Sequence, residues 1–281
     1  MSKKDILIII LLNIVWGTSF TAAGYAFKFY SPFFLYAIRF LSTGLMTIPF
    51  GKIPKKYMLN IFAISLLQTL TFCGIALGIK YLNSSTTAIL NKLDVIFTIT
   101  LASIVFKEKI TPRLIIGIFL CFGAVYILSG GILINNFKYM FLMMFAAFST
   151  ACSNILVKKI KDVENRVIVS WSSVFIGFEL LGLSLLFKEK FILQTLNIQS
   201  ILVVLYLGLF STYLAYIVIY HLLRKYETTK VMPFNFLNPI VSIFSGFLIL
   251  GEEITLRKFV GIAMIIVGIL LAEYKTKTIE K

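Results

Sequence analysis

Long apolar runs separated by short polar gaps dominate the hydropathy pattern of this chain. A helix that crosses a membrane needs about 20 mostly apolar residues, and these runs have that length. Glycine, proline, lysine and asparagine punctuate them in the way expected at helix ends. The pattern predicts ten helical spans, numbered one to ten: 5–27, 32–50, 58–79, 84–106, 112–130, 137–157, 167–187, 200–222, 229–250 and 256–274.

Span four differs from the others because polar residues recur along one of its faces. The residues at helical spacing are Ser84, Thr87, Asn91, Asp94 and Thr98. Lys92 also lies near the middle of this span, where a charge costs roughly 2.5–3.5 kcal/mol on insertion scales. Charges at such depth usually face a bundle interior or a wet cavity. We interpret the polar stripe as the wall of a solute path.

Lys92 has three interpretations. Its ammonium group either binds an anionic group of a substrate, or stays as a cavity charge that changes partners between states, or serves a structural purpose. The structural purpose would be an ion pair in the bundle or extension toward the interface. Asp94 either contacts the solute or tunes it electrostatically. On a regular α-helix the two side chains would project about 200° apart. They are therefore predicted to need separate partners rather than each other.

Four further residues are candidate contacts of a solute. Asn91 and Asn235 are expected either to orient it by hydrogen bonds or to join helices together, as Asn does in membranes. Trp16 and Ser19 in span one are expected to form a cavity wall or to pack between helices.

Three residues in other spans complete the set. Tyr213 in span eight is expected to shape the cavity. Glu179 in span seven is either a proton-coupling site or a structural carboxylate. Arg39 in span two is interpreted as structural, near the headgroups or paired within the bundle.

The amino-acid composition indicates that the protein lies in a membrane. The chain is 59% hydrophobic and 14% charged, and its mean hydropathy is +0.95, which predicts an all-α polytopic membrane protein. The net charge of +15 does not indicate nucleic-acid binding, because the basic residues cluster in the gaps between spans. Alternate gaps hold eighteen Lys and Arg on one side and seven on the other, which predicts that both termini are cytoplasmic.

Sequence motifs of enzymes and metal sites are not found. The chain has no catalytic triad pattern, no HExxH and no glycine-rich phosphate loop, so we expect no catalytic residues and no cofactor. Cys73, Cys121 and Cys152 stand singly in apolar runs without CxxC spacing. This arrangement argues against a disulfide framework and a thiolate metal site.

An internal repeat divides the chain into two halves. FKEKITPRLIIG (106–117) aligns without gaps on LGEEITLRKFVG (250–261), at an offset of 144 residues. The same offset places Asn91 on Asn235 and Asp94 on Asn238. Five spans per half is an odd number, so the halves must insert with opposite topology, as in many transporters. The predicted repeats are 1–133 and 134–281.

Several motifs resemble those of EamA-type members of the drug/metabolite transporter superfamily. They are WGTSF (16–20), Pro32 with Arg39-Phe40, the repeat-ending FKEKITPRLIIG, Asn238-Pro239 and Gly251-Glu252. The resemblance covers essentially the whole length. It implies a ten-helix carrier of small metabolites in the plasma or inner membrane, often an exporter of amino acids or related compounds. Span four departs from the pattern, since Asp94-Val95 stands where the second half has Asn238-Pro239.

Together these observations predict a secondary transporter of two inverted five-helix repeats. Its solute site should lie near the midplane between spans one, three, four, six, eight and nine, and alternating access should expose it to each side. The expected partners are a small-molecule substrate and the lipid bilayer, with no nucleic acid, for a monomer or homodimer. The alternative is a non-transporting assembly or sensory component built on the same fold.

Overall fold

A computed structural model of the protein describes residues 1–47, 51–128, 137–189, 197–253 and 255–273, and within these ranges its regular structure is helical. The α-helices are α1 Lys3–Ala26, α2 Pro32–Thr47, α3 Met58–Leu82, α4 Ser84–Asn91, α5 Leu93–Phe106, α6 Pro112–Leu128, α7 Phe137–Lys159, α8 Asn165–Leu186, α9 Ile198–Leu205, α10 Ala215–Lys225, α11 Thr228–Val231, α12 Leu237–Ser245 and α13 Leu256–Glu273. A short 3₁₀ turn, Lys55–Tyr57, precedes α3.

Three of the ten predicted spans are not single α-helices. Span four consists of α4 and α5, and span eight contains a π-helical segment, Tyr206–Leu214, between α9 and α10. Span nine runs from α11 through a 3₁₀ segment, Met232–Phe236, into α12 and a π-helical segment, Gly246–Leu250. The predicted span ends at residues 50, 130 and 274, and the predicted boundary between 133 and 134, lie outside the described residues.

The outer surface of the bundle is suited to lipid. Within the described ranges, seven helical segments are long and apolar enough to cross a membrane, and shorter apolar helices lie at 112–124 and 259–271. Large apolar side chains project outward, among them Phe119, Leu186 and Leu248, each more than 70% exposed. A soluble protein rarely exposes so much apolar surface, whereas hydrocarbon tails would cover it.

Helix packing follows a twofold relation between the halves. Spans two and seven pack together, as do spans five and ten, and each of these pairs maps onto itself when the halves exchange. The contact of span one with span nine has its counterpart in that of span six with span four. This is the arrangement expected of inverted repeats around a shared centre.

Close approach of α1 and α12 depends on Gly17. A Cβ atom added at Gly17 would lie 2.5 Å from Val241 Cβ and 2.8 Å from the Asn238 carbonyl oxygen. These contacts are too short for any side chain, so the glycine lets the two backbones meet. The contact joins the first helix of one half to the ninth span and holds Trp16 and Ser19 beside the centre of the bundle.

We expect Gly17→Ala to lower the free energy of unfolding by about 1–3 kcal/mol, because the added methyl group overpacks this contact. Thermal unfolding in detergent measures the effect. Gly182→Ala is the matched control, since a Cβ at Gly182 in α8 meets nothing within 4 Å. That variant should be neutral or slightly stabilising. Equal unfolding temperatures for the two variants would contradict the role given to Gly17.

Candidate functional site

Both polar spans break at the same place in the middle of the bundle. In span four, α4 ends at Asn91 and α5 begins at Leu93, with Lys92 between them at φ −71° and ψ −5°. In span nine, the 3₁₀ segment gives way to α12 at Phe236, at φ −68° and ψ −11°. Lys92 and Phe236 are equivalent under the 144-residue offset. Discontinuous helices at the centre of a repeat interface are a frequent way to build a solute site.

The break brings Lys92 and Asp94 together. Lys92 Nζ lies 3.8 Å from Asp94 Oδ1, and both side chains are less than 10% exposed. The prediction that these residues would need separate partners is therefore wrong. It assumed one regular helix through span four, whereas the tight turn at Lys92, whose N–H bonds to the carbonyls of Ile89 and Leu90, changes the directions of the side chains.

A cavity of about 60 Å³ lies at these breaks. That volume holds a few water molecules. Its walls come from spans one, two, three, four, six, eight and nine: Trp16, Ser19, Phe20, Tyr36, Arg39, Thr71, Phe72, Ile75, Asn91, Lys92, Asp94, Thr150, Asn154, Tyr216, Ile219, Asn235 and Asn238. These are the six spans predicted from the sequence to surround a solute site, together with span two. That the cavity binds a solute stays a prediction.

In the described residues, six of the nine buried polar atoms without a hydrogen-bond partner occur in matching pairs on the two halves. On span four they are Asn91 Oδ1, Asp94 Oδ1 and Thr98 Oγ1, and on span nine they are Asn235 Oδ1, Asn238 Oδ1 and Ser242 Oγ. Each atom of the first set belongs to the residue 144 positions before its counterpart. Unsatisfied polar groups are costly when buried, so these positions are suited to a ligand or to water.

Trp16 and Ser19 reach the cavity from α1. Trp16 Nε1 donates to the carbonyl oxygen of Ser211 at 3.2 Å, and its ring meets that of Tyr216 edge-on with centroids 5.7 Å apart. Ser19 Oγ donates to the Trp16 carbonyl oxygen at 2.7 Å. These contacts hold an indole and a hydroxyl group in fixed positions on one wall.

Tyr213 is not among the residues that line the cavity in the described part of the chain. It packs against a hydrophobic cluster to which most of the spans contribute, and Tyr216 lines the cavity wall instead. The π-helical segment that ends at Leu214 explains the difference. Its wider turns shift which residues of span eight face the centre, and a regular helical period does not foresee this.

Arg39 is the charged cavity residue that the sequence does not predict to line the site. The sequence predicts a place near the headgroups or in a pair within the bundle, but Arg39 is 3% exposed and faces the cavity from α2. The signal was available, because a charge inside span two is as costly as Lys92 in span four. Its position near the middle of a predicted span was the clue.

Glu179 lies outside the cavity walls. Its carboxylate, on α8, accepts a hydrogen bond from Ser65 Oγ at 2.8 Å and another from Thr69 Oγ1, so two hydroxyl groups of α3 hold it. Among the described residues, no group of three or more His, Cys, Asp and Glu side chains has an arrangement that would hold a metal ion.

Both halves of the chain match the same family of known proteins. The model of the EamA-like transporter family matches residues 3–130 and again residues 137–274. The chain is a member of the EamA-like transporter family. Its membership and its apolar helices establish the all-α polytopic membrane fold, and they make the protein a transporter rather than an enzyme.

Full-length relatives of this EamA-family transporter carry related names. It is 31% identical to a "probable amino-acid metabolite efflux pump" of Salmonella typhimurium, over 96% of this chain and 94% of that one. A protein of the same name from Escherichia coli is 30% identical over the same shares. An "uncharacterized transporter" of Archaeoglobus fulgidus is 27% identical over 97% of this chain and 99% of its own.

A solved structure has the same fold. It superposes with a TM-score of 0.77 and covers 96% of this chain and 97% of its own, at 13% sequence identity. At that identity the likeness concerns the fold alone.

Proposed function

We propose that this EamA-family protein is a secondary transporter that exports small metabolites such as amino acids or related compounds. Two relatives with the name of a probable amino-acid metabolite efflux pump support this solute class. The observation that carries the proposal is the central cavity, where both halves contribute unsatisfied buried polar atoms at equivalent positions. Alternating access around such a site is the mechanism typical of inverted repeats.

Within the cavity we assign each predicted residue a role. Lys92 and Asp94 contact the solute or set the electrostatic potential around it, and Asn91 and Asn235 orient it by hydrogen bonds from opposite halves. Trp16 and Ser19 shape the wall, with Tyr216 in the position first assigned to Tyr213. The cavity of about 60 Å³ is small for a metabolite, so binding requires the walls to move apart.

A carboxylate latch ties the two halves on the face that carries the N-terminus. Glu108, just after α5, pairs with Lys158 at 2.5 Å and accepts from the N–H of Thr229 at 3.1 Å at the start of α11. Burial alone would raise the pKa of Glu108, but Lys158 and the backbone N–H groups of Thr228 and Thr229 lower it below its usual value. The carboxylate is therefore ionised at neutral pH, and we call this contact the N-terminal latch.

An equivalent latch lies on the opposite face. Glu252 is equivalent to Glu108 at the 144-residue offset. It accepts a hydrogen bond from Ser84 Oγ at 2.6 Å and another from Ser85 Oγ. These serines begin α4 and are the counterparts of Thr228 and Thr229. We call this contact the opposite latch. Each latch thus joins the end of one polar span to the start of the other, so opening either latch frees one side of the cavity.

Tyr216 also stands between the central cavity and the N-terminal face. Its hydroxyl donates to Gln68 Oε1 at 2.9 Å, and Gln68 Nε2 donates to Ser153 Oγ at 3.1 Å. A second, smaller cavity of about 10 Å³ lies beyond these side chains, with Tyr216 and Gln68 among its walls. Movement of Tyr216 would connect the two cavities. We propose it as part of the path on that side.

The orientation of the chain in the membrane decides which side each latch closes. With the termini in the cytoplasm of a plasma or inner membrane, as the distribution of Lys and Arg predicts, the N-terminal latch closes the cytoplasmic side. Glu179 remains the candidate for proton coupling, although the two hydroxyl groups that hold its carboxylate favour a structural role. The chain works as a monomer or a homodimer.

The test of the proposed function is ligand binding followed by transport. We expect at least one member of a panel of amino acids and related metabolites to raise the unfolding temperature of the purified protein, because a ligand of the folded state stabilises it. The same compound should exchange across proteoliposomes in counterflow, and liposomes without protein are the control. Stabilisation without any flux would contradict transport and favour a sensory protein.

A further inference from the structure

Arg39 is a buried cation held in place by neutral groups. Its Nε donates to Thr212 Oγ1 at 2.7 Å, and its Nη2 donates to Ser211 Oγ at 3.1 Å and to the Ser211 carbonyl oxygen at 3.3 Å. Ser211 and Thr212 belong to the π-helical segment of span eight and are fully buried. They fix the guanidinium plane from one side without neutralising its charge.

In the described part of the chain, the charge of Arg39 has no counterion. Among the residues that the structure describes, no carboxylate lies within ion-pair distance of the guanidinium group. Three aromatic rings surround it instead, with the guanidinium carbon 5.2–5.5 Å from the ring centroids of Tyr36, Phe40 and Phe72. Aromatic faces attract a cation but do not satisfy its N–H donors.

The formal charges of the residues in the cavity wall sum to +1. The residues of the wall with a formal charge are Arg39, Lys92 and Asp94. Lys92 and Asp94 form a pair, so their charges compensate each other. Arg39 remains, and an unpaired cation at this depth is costly. A single negative charge brought by a solute would remove that cost.

We propose that Arg39 is an anion-binding residue of the solute site and takes a carboxylate group. The planar guanidinium fork matches the two oxygens of a carboxylate, and its fixed orientation preserves that match. A phosphate dianion would need a second unpaired cation, which the described wall does not supply. This inference rests on the proposed function and deepens it, because it names the chemical group by which the site recognises its solute.

The test compares acids with amides that lack only the carboxylate. We would measure binding and counterflow of L-alanine, L-leucine, L-phenylalanine and L-threonine, each beside its α-amide, with inorganic phosphate as a further probe. In the wild-type protein we expect each acid that binds to do so at least tenfold more tightly than its amide. Phosphate should compete with none of these acids.

Variants of Arg39 assign this preference to its side chain. Arg39→Gln should weaken acid binding at least tenfold and bring the acid close to its amide, whereas Arg39→Lys should retain part of the preference. Thr212→Val keeps the charge but releases Nε, so it should reduce the same ratio even if Arg39→Gln does not fold. Arg224→Gln is the control, since Arg224 donates to the carbonyl oxygens of Val157 and Val163, away from the cavity.

Two results would overturn the inference. The first is flux of amides at the rate of their acids in the wild-type protein. The second is an unchanged ratio of acid to amide in folded Arg39→Gln, or in both Arg39→Lys and Thr212→Val. Either result leaves transport itself intact, whereas an absence of both binding and flux for every compound would overturn the proposed function as well.

Discussion

Replacing Lys92 with methionine should lower the free energy of unfolding by about 3–5 kcal/mol, while the double variant Lys92→Met/Asp94→Asn should recover most of that loss. Removal of one member of a buried pair strands the other charge, and removal of both does not. The second half of the chain supplies the precedent, because it has Phe236 and Asn238 at the equivalent positions. Thermal unfolding of the three proteins in detergent measures this difference.

The same double variant should lose transport although it keeps most of its stability. We expect transport per folded molecule to fall at least tenfold, since a lost hydrogen bond to a charged group is worth about 1.5–3 kcal/mol. Counterflow in proteoliposomes with a transported compound provides the measurement. Wild-type flux in a stable double variant would remove Lys92 and Asp94 from the solute site.

A second ion pair provides the control for the double variant. Asp5 and Lys225 lie 2.9 Å apart on the face that carries the N-terminus, away from the cavity. The variant Asp5→Asn/Lys225→Met makes the same change of charge there. It should keep most of the flux, so a comparable loss in both double variants would indicate a general effect of charge removal.

Neutralising the two latches one at a time should shift the facing of the cavity in opposite directions. Glu252→Gln weakens the opposite latch and should favour opening on that face, and Glu108→Gln should favour opening on the N-terminal face. A hydrogen bond to a charged group is worth about 1.5–3 kcal/mol, which corresponds to a shift of roughly 10- to 100-fold in the equilibrium. The equivalence of the two carboxylates makes this pair of variants a matched experiment.

Labelling of a cysteine in the cavity wall reports the facing directly. The cysteine would replace Ser19 in a chain whose three native cysteines are changed to alanine, and a membrane-impermeant thiol reagent would be added from one side at a time. Glu252→Gln and Glu108→Gln should increase labelling from opposite sides. Glu164→Gln is the control, because Glu164 forms an exposed pair with Arg166, and such pairs contribute little. Labelling that changes in the same direction in both latch variants would contradict the gating role.

Acidification should weaken the N-terminal latch before the protein loses its helices. The folded state lowers the pKa of Glu108, so this carboxylate stabilises the fold above the usual glutamate pKa. Its contribution disappears as the pH falls through the lowered value. The cavity should therefore open toward the N-terminal face, as in Glu108→Gln, only at pH values below about 4.3, the usual pKa of a glutamate. Labelling of the same cysteine with a pyridyl disulfide measures this opening, because that reagent reacts with thiols at acid pH.

Hydropathy along the chain determined the membrane fold of this protein and the number of its spans. Each segment must satisfy the bilayer by itself, so a sufficiently long run of apolar residues predicts a membrane-spanning helix without knowledge of the other segments. The repeat could also be predicted from local sequence. Glu108 and Glu252 follow the ends of equivalent spans, stand 144 residues apart and have similar neighbours in the sequence. Lys92 and Asp94 were found as candidates because a charge at mid-membrane depth is unusual wherever it occurs.

Only the tertiary structure decided which side chains meet. The turn at Lys92 paired that residue with Asp94, and the π-helical segment of span eight turned Tyr216 rather than Tyr213 to the cavity. Arg39 has its role through Ser211 and Thr212, more than 170 residues away in the chain. Such contacts depend on helix irregularities and on packing between distant segments. Neither is encoded in the hydropathy of a single span, because lipid exposure constrains the outer surface of a helix and leaves the arrangement of its inner surface to its neighbours.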